Sequence, residues 1–259
     1  MNFENLLDIL KIKKNDKIII SSNIVKILIE FKKKKINFDP NNLINTIKKR
    51  IGKNGTLFIP TFNYDFFKGK TFDYKKSPSQ SGALGNIALK RNDFLRTCNP
   101  VYSFAVTGKD KKKICNIKHD DCFSLNSPFG YLLKNKGKNI FIDLNYRLIT
   151  DTTYGGFTFH HVIEQAVNVP YRYFKEFKGH YINRYKTKKK IKIKFYARNL
   201  KLKYSVFLSK KLDKELKKRN FLKRVKFEGI KVDLIDLYRT FKLLSNDLKK
   251  DRKYFFKKY

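Results

Sequence analysis

The sequence has no tryptophan, one methionine and only three cysteines in 259 residues. The cysteines, Cys98, Cys115 and Cys122, are too few for a disulfide framework, and their spacing fits no zinc-binding pattern. This excludes the small folds that depend on disulfides and the common structural zinc sites. We therefore expect a protein of the reducing cytoplasm.

Long apolar runs are also missing from the sequence. No stretch reaches the roughly 18 residues that a membrane-spanning helix needs. The first residues, Met1 to Asn5, lack the basic and apolar regions of a signal peptide. We therefore expect neither a membrane partner nor a secretion signal.

Acidic side chains are scarce, with 22 Asp and Glu against 60 Lys and Arg, which gives a formal net charge of +38. The excess is strongest in residues 171–259, which hold 31 basic and 8 acidic side chains. Such a charge suits nucleic acid. However, 49 basic residues are Lys and only 11 are Arg, the residue suited to bidentate phosphate contacts. This composition indicates an AT-rich coding bias, so nucleic-acid binding stays an alternative function only.

Apolar and aromatic residues are plentiful, at 41% and 15%, which excludes a disordered chain. Up to Pro170, short β-branched runs alternate with helical patterns, which is typical of an α/β layered core. Strands are predicted at 18–20, 56–59, 102–107 and 139–144, and helices at 3–13, 40–51, 82–90, 128–133 and 159–167.

The pattern changes after Pro170. Basic and apolar residues alternate over 171–181 and 190–196, which predicts an antiparallel hairpin or meander. Helices are predicted at 209–219 and 233–247. Since no linker rich in Gly, Ser or Pro is present, we predict a single domain over residues 1–259. Its core would span about 15–170, with the basic part 171–259 packed on it.

The clearest candidate for chemistry is the pair His161 and Glu164. On a helix they are three residues apart and share a face. A carboxylate beside an imidazole fixes its tautomer, which suits a general base near neutral pH. Such pairs are also common as structural contacts. His160 points about 100° away from His161 on a helix, which argues against a metal site.

A second candidate is the polar turn at Ser21 and Ser22, directly after the predicted strand 18–20. Backbone N–H groups at the start of the following helix can bind phosphate, and serine hydroxyls add donors. A plain helix cap is the competing interpretation. The sequence lacks the glycine-rich dinucleotide motif, the Walker A motif and the Gly-x-Ser-x-Gly elbow. The usual sites for dinucleotides, nucleoside triphosphates and a nucleophilic serine are therefore excluded.

Several further motifs follow one another along the chain. They are Gly55 to Phe62 (GTLFIPTF), Phe72-Asp73, Ser77 to Leu84 (SPSQSGAL), Arg96 to Ser103 (RTCNPVYS), Asn126 to Gly130 (NSPFG), Thr158 to Glu164 (TFHHVIE) and Val169 to Arg172 (VPYR). Taken in order, these segments resemble the aminoglycoside 3-N-acetyltransferase family over about residues 15–250. In three places a family histidine is replaced, by Ile20, Asn99 and Tyr102.

The resemblance implies a three-layer α/β/α sandwich, here with a C-terminal antiparallel and helical extension. It implies acetylation of an amine by acetyl-CoA as co-substrate, without a metal. The general base maps onto His161 and its carboxylate partner onto Glu164. Expected coenzyme contacts lie at Ser21, Ser22, Ser79, Ser103 and Thr158, and expected acceptor contacts at Asp73 and Tyr64.

The charge bears on the identity of the acceptor amine. Aminoglycosides are polycations and need an acidic surface, which this chain offers poorly. We therefore predict a nucleotide-linked amino sugar, as used in polysaccharide biosynthesis, because the basic field would attract its phosphates. An aminoglycoside is the alternative acceptor. The sequence leaves a homo-oligomer open.

Overall fold

Seven strands form the main sheet of the computed structural model, which describes residues 3–144, 158–202, 204–206, 210–254 and 256–258. In spatial order they are β10 (Leu222–Phe227), β11 (Ile230–Asp236), β6 (Lys138–Ile142), β1 (Lys17–Ser22), β2 (Thr56–Pro60), β5 (Phe104–Gly108) and β4 (Leu95–Arg96). The central strand β1 pairs in parallel with β2 and β6. Strands β5 and β11 extend the sheet antiparallel on either side.

Helices cover both faces of this sheet. On one face lie α1 (Phe3–Ile9), α2 (Ile24–Lys33), α3 (Pro40–Ile51) and α4 (Ala83–Leu89). On the other face lie α5 (Lys111–Cys115), α6 (Pro128–Lys134), α7 (Phe159–Val167), α8 (Lys210–Lys218) and α9 (Leu237–Lys250). The chain therefore has the predicted three-layer α/β/α architecture.

The continuous apolar runs of the central strands explain this layering. Ile18 and Ile20 enter one hydrophobic cluster, whereas Ile19 between them enters the other. In β2, Leu57 likewise belongs to the first cluster and Phe58 to the second. Because successive side chains of a strand point to opposite faces, a strand buried on both faces needs no polar alternation.

The hairpin predicted after Pro170 is confirmed as β7 (Arg172–Ile182) and β8 (Lys188–Arg198). With β3 (Phe72–Asp73), it forms a second sheet in the order β3-β7-β8. The ring of Phe177 on β7 lies 4.4 Å from that of Phe67, which anchors the hairpin to the loop after β2. A short third sheet pairs β9 (Tyr204–Val206) with β12 (Phe256–Lys258).

The helix predicted over 233–247 is wrong at its start, because residues up to Asp236 form β11. The turn between β10 and β11 consists of Glu228 and Gly229, both with positive φ (50° and 85°), which is the geometry of a two-residue hairpin. Asp236 then caps α9, and its side chain accepts a hydrogen bond from the backbone N of Arg239 at 2.9 Å. Since β11 pairs with β6, the main sheet contains strands from both sides of residue 170.

Within the residues that the structure describes, no helix has the length and apolar character that crossing a membrane requires.

Candidate active site

Helix α7 carries the histidine and glutamate that the sequence singles out. Its apolar residues Val162 and Ile163 are fully buried and anchor it to the core. Its polar residues are buried as well, with 4% exposure for His160, 8% for His161 and none for Glu164. Ionisable side chains buried this deeply need partners or an altered pKa.

His161 lies in an aromatic environment. Its ring stacks on that of Phe123, with 4.5 Å between centroids and 6° between planes, and the ring of Phe195 lies 5.8 Å away. Burial holds the pKa of His161 well below its usual value, and the charges of His160 and Arg172 lower it further. The imidazole is therefore neutral near pH 7 and able to accept a proton.

The carboxylate of Glu164 is held mainly by residues after the helix. Its Oε2 lies 2.8 Å from Nε of Arg172 and 3.8 Å from Nε2 of His160. Its Oε1 accepts a hydrogen bond from the hydroxyl of Tyr171 at 3.0 Å. The guanidinium therefore compensates the charge that burial would otherwise make unfavourable.

The sequence analysis predicts that the carboxylate of Glu164 contacts the imidazole of His161 directly, and the structure shows a different arrangement. The ligand-type atoms of His160, His161 and Glu164 all lie within 4.8 Å of one another. Glu164 nevertheless makes its close contacts with Arg172 and Tyr171, and no hydrogen bond joins it to His161 among the described residues. The guanidinium of Arg172 already occupies the Glu164 carboxylate that a metal ion would need as a ligand, and its positive charge would repel the ion. Both effects disfavour a metal at this cluster.

A narrow pocket lies beside α7, at the C-terminal ends of β1 and β2. It is lined by Ser21, Ser22, Ser81 and Thr158 together with apolar residues of both strands. Helices α2 and α7 begin immediately after Ser22-Asn23 and Thr158. Helix N-termini favour negative charge, so the pocket suits the phosphates of a coenzyme.

The hydroxyl groups of the pocket differ in their hydrogen bonding. Ser21 Oγ donates to Oδ1 of Asn139 at 3.2 Å. Ser22 Oγ is buried and has no hydrogen-bond partner in the part of the chain that the structure describes. A buried hydroxyl without a partner is unfavourable. Ser22 is therefore ready to bind a polar ligand atom.

Ser79 supports the pocket from behind. Its Oγ lies 3.0 Å from Oγ of Ser81 and accepts a hydrogen bond from the backbone N of Ser81. Gly85 permits this packing, because a Cβ there would collide with the Ser79 side chain and the Pro60 carbonyl. Ser81 itself lines the pocket and was not among the predicted residues. Its place in the run SPSQSGAL, two residues after Ser79, was the available signal.

Ser103 does not line this pocket. It is fully buried, its Oγ donates to the Thr61 carbonyl at 2.9 Å, and it accepts a hydrogen bond from Nε of Arg96. Arg96 also donates to the carbonyls of Ser77 and Thr61. Burial lowers the pKa of Arg96 to about 10. These bonds tie the end of β2 to the loop that carries Ser79 and Ser81.

The two expected acceptor residues lie in different surroundings. The ring of Tyr64 lies 5.8 Å from that of Tyr102, which is 4.6 Å from Phe123, the residue stacked on His161. Asp73 instead accepts hydrogen bonds from the backbone N of Lys75 and of Lys76 and stabilises a turn. The structure thus connects Tyr64 to His161 through aromatic rings, whereas the contacts of the described residues do not link Asp73 to it.

The chain and its fold were compared with known proteins. A family model described as aminoglycoside 3-N-acetyltransferase matches residues 32–249. A comparison with curated protein sequences gives no match.

Three solved structures illustrate the structural similarity. Aminoglycoside acetyltransferase AAC(3)-Xa is 14% identical with a TM-score of 0.75, over 98% of this chain and 92% of that one. AAC-IIIb in a binary complex with CoASH is 15% identical with a TM-score of 0.73, over 94% and 93%. The YokD protein from Bacillus subtilis is 16% identical with a TM-score of 0.70, over 96% and 97%. At these identities the structures establish the shared fold.

The family model provides the functional class, because it spans most of the chain and covers the pocket serine Ser81 and the whole of α7. Enzymes of this family are N-acetyltransferases with acetyl-CoA as co-substrate. The orphaned hydroxyl of Ser22 and the helix N-termini around it fit that co-substrate. The chain therefore belongs to the aminoglycoside 3-N-acetyltransferase family.

Proposed function

We propose that this enzyme acetylates an amino group of an amino sugar of the aminoglycoside class, with His161 as the general base. One observation carries the proposal. Helix α7 begins at the serine-lined pocket and, less than one turn later, presents a buried imidazole that is neutral near pH 7. The acyl donor and the proton acceptor would thus meet at one end of one helix.

The residues divide the reaction between them. Acetyl-CoA supplies the acyl group, and the amine nitrogen attacks the thioester carbonyl carbon. The C–N bond forms, the C–S bond breaks, the CoA thiolate leaves, and His161 takes the amine proton directly or through water. The hydroxyl of Thr158 and backbone N–H groups at the start of α7 would stabilise the oxyanion. Ser21 and Ser22 would hold the coenzyme.

The choice of acceptor rests first on the family, whose described substrates are aminoglycosides. This supports the aminoglycoside alternative better than the nucleotide-linked sugar predicted from charge. A nucleotide-linked amino sugar stays the second candidate because acids near the site are already engaged. Asp120 lies 3.2 Å from the ammonium of Lys194, Asp65 lies 3.5 Å from that of Lys70, and the Asp121 carboxylate accepts from Gln165. Because an ammonium group lies beside Asp65 and another beside Asp120, these two carboxylates attract a polycation more weakly.

Thiol release from acetyl-CoA with a panel of amines tests the proposal. The panel comprises kanamycin-type and gentamicin-type aminoglycosides, UDP- and dTDP-linked amino sugars, and the free amino sugars. We expect the highest kcat/KM with an aminoglycoside, and mass spectrometry should show one added acetyl group. Higher kcat/KM with the nucleotide-linked sugars would select the second candidate. Turnover with none of these amines would overturn the proposed substrate class.

A further inference from the structure

The hairpin of β7 and β8 has two unlike faces. On one face Phe177, Ile193 and Phe195 pack into or against the core cluster. The ring of Phe195 lies 5.8 Å from that of His161, so this face is turned toward the candidate active site. Since successive residues of a strand alternate between faces, the residues between them lie on the outer face. The outer face, termed the basic face, carries six exposed basic side chains: Lys178, His180, Lys188, Lys190, Lys192 and Lys194.

The pairing of the two strands brings like charges together on the basic face. Lys178 lies directly opposite Lys192, and Lys190 lies directly opposite His180. Along β8, a lysine follows at every second residue from 188 to 194, which places neighbours about 6.6 Å apart. Like charges in directly opposed positions destabilise a sheet. The hairpin therefore gains no stability from this arrangement, and an anionic partner would relieve the repulsion.

Few carboxylates compensate the basic face. Glu176 lies 3.6 Å from the ammonium of Lys192, and Asp120 lies 3.2 Å from that of Lys194. All four side chains are exposed, and such pairs contribute less than about 1 kcal/mol. A phosphate group can therefore replace either carboxylate at little cost. Two lysines nearer the turn form no ion pair with any residue that the structure describes: Lys188 and Lys190.

Two simpler explanations do not account for the basic face. Lysines can protect an edge strand from pairing with another chain, and β8 is the edge of the order β3-β7-β8. Lys178 and His180, however, lie on the middle strand β7. An AT-rich coding bias supplies asparagine, isoleucine and tyrosine as well as lysine, yet all four outward positions from 188 to 194 are lysine. The arrangement therefore points to an anionic partner.

The shape of the basic face distinguishes between anionic partners. The lysines of β8 extend over six residue steps, or about 20 Å, whereas the two strands together are only about 5 Å wide. A long, narrow strip of ammonium groups follows a linear polyanion, whereas an anionic membrane presents a broad plane. The basic face is therefore better matched to a single chain of phosphates than to a lipid surface.

Exposed aromatic rings lie at both ends of the basic face. Phe174, on the same face of β7, is 51% exposed, and Tyr185 in the turn is 73% exposed. The guanidinium of Arg184 lies 4.8 Å from the centroid of the Tyr185 ring. Proteins that bind single-stranded nucleic acid without sequence preference combine basic groups along the backbone with aromatic rings on which bases stack. Both features are present on this hairpin.

We propose that the basic face binds single-stranded nucleic acid. Its lysines contact the phosphates, and bases stack on Tyr185 and Phe174. Phosphate contacts carry no sequence information, which agrees with the use of lysine in place of the bidentate arginine. Because the basic face is turned away from His161, this binding is separate from acetyl transfer and does not depend on the proposed function.

Fluorescence anisotropy of the full-length protein with a labelled oligothymidylate of about 12 nucleotides tests the lysine contacts. We expect log K to fall with log salt by about 0.7 for each phosphate contact. K188Q/K190Q/K192Q should weaken binding at least about tenfold and make this slope shallower by about 2. K109Q/K112Q/K113Q removes the same charge from exposed positions at α5 and should leave binding within about threefold. Equal losses in the two triple variants, or no loss in the first, would overturn the inference.

The stacking contact and the class of polyanion need separate measurements. Y185A should raise the Kd for the oligothymidylate at least about fivefold, whereas Y185F keeps the ring and should stay within about twofold. Inorganic polyphosphate and vesicles containing phosphatidylglycerol serve as competitors, and both should displace the labelled strand less effectively than unlabelled oligothymidylate. An unchanged Kd in Y185A, or stronger displacement by polyphosphate or by vesicles, would overturn the assignment to nucleic acid.

Discussion

Replacing Arg172 with methionine tests the buried charge cluster behind the active site. Its side chain is 1% exposed and that of Glu164 is fully buried, with 2.8 Å between Nε and Oε2. R172M keeps most of the volume and leaves the carboxylate without its main compensating charge. Removing one member of a buried ion pair costs about 3–5 kcal/mol. At about 2–4 °C per kcal/mol, we expect the melting temperature to fall by about 6–20 °C.

The pH dependence of this loss gives a second, sharper expectation. In R172M the pKa of Glu164 should rise above its ordinary value of about 4.3, because burial then disfavours the charged form. The folded state would bind more protons than the unfolded state above that pH, so stability should decrease as pH rises. R172M should therefore be closest to the unaltered protein near pH 4.5 and furthest from it near pH 8.

Urea denaturation followed by circular dichroism measures both effects. R219M provides a matched control, because Arg219, directly after α8, forms an exposed ion pair with Glu215 of that helix. Such a pair contributes less than about 1 kcal/mol. The reasoning would be refuted if, at pH 8, the free energy of unfolding of R172M lay within about 1 kcal/mol of that of the unaltered protein. It would also be refuted if R219M lowered this free energy as much as R172M does.

Three further predictions concern the pocket, the base and the sheet. Ser22→Ala should raise the KM for acetyl-CoA about 2- to 10-fold with little change in kcat, as expected for one hydrogen bond; an unchanged KM would place the coenzyme elsewhere. Because the pKa of His161 is lowered, kcat/KM should fall on the acidic side of its pH profile with an apparent pKa below about 6.5, whichever amine is used. An apparent pKa above that value would contradict the neutral imidazole. Residues 1–170 alone should show no cooperative melting transition by circular dichroism, because β11 pairs with β6 and α9 packs on α6 and α7; a cooperative transition would show that they form an independent unit.

Local signals predicted much of the fold. The Asp39-Pro40 pair predicts the start of α3, and in the structure Asp39 accepts a hydrogen bond from the backbone N of Asn41. The β-branched run Ile18 to Ile20 predicts a strand buried on both faces. These features depend on neighbours within a few residues. The β10–β11 hairpin was missed because its second strand leads directly into α9, and the apolar spacing across Asp236 reads as one helix.

The candidate site was less predictable for a physical reason. Helical spacing places His161 and Glu164 on one face, but it does not say which side chains from other elements pack there. Arg172 on β7 takes the carboxylate, and Phe195 on β8 comes within 5.8 Å of the histidine ring. The full burial of Ser103 follows similarly from contacts with Thr61, 42 residues earlier. Such long-range contacts depend on the complete fold.

The kinetic effect of removing the imidazole tests the central claim most directly. We would compare kcat/KM for acetyl transfer to an aminoglycoside in the unaltered protein, His161→Ala and His180→Ala, where His180 is an exposed histidine on β7. If His161 is the general base, His161→Ala should lose at least about 100-fold, and His180→Ala should stay within twofold of the unaltered protein. A folded His161→Ala enzyme that keeps most of its kcat/KM would contradict the account.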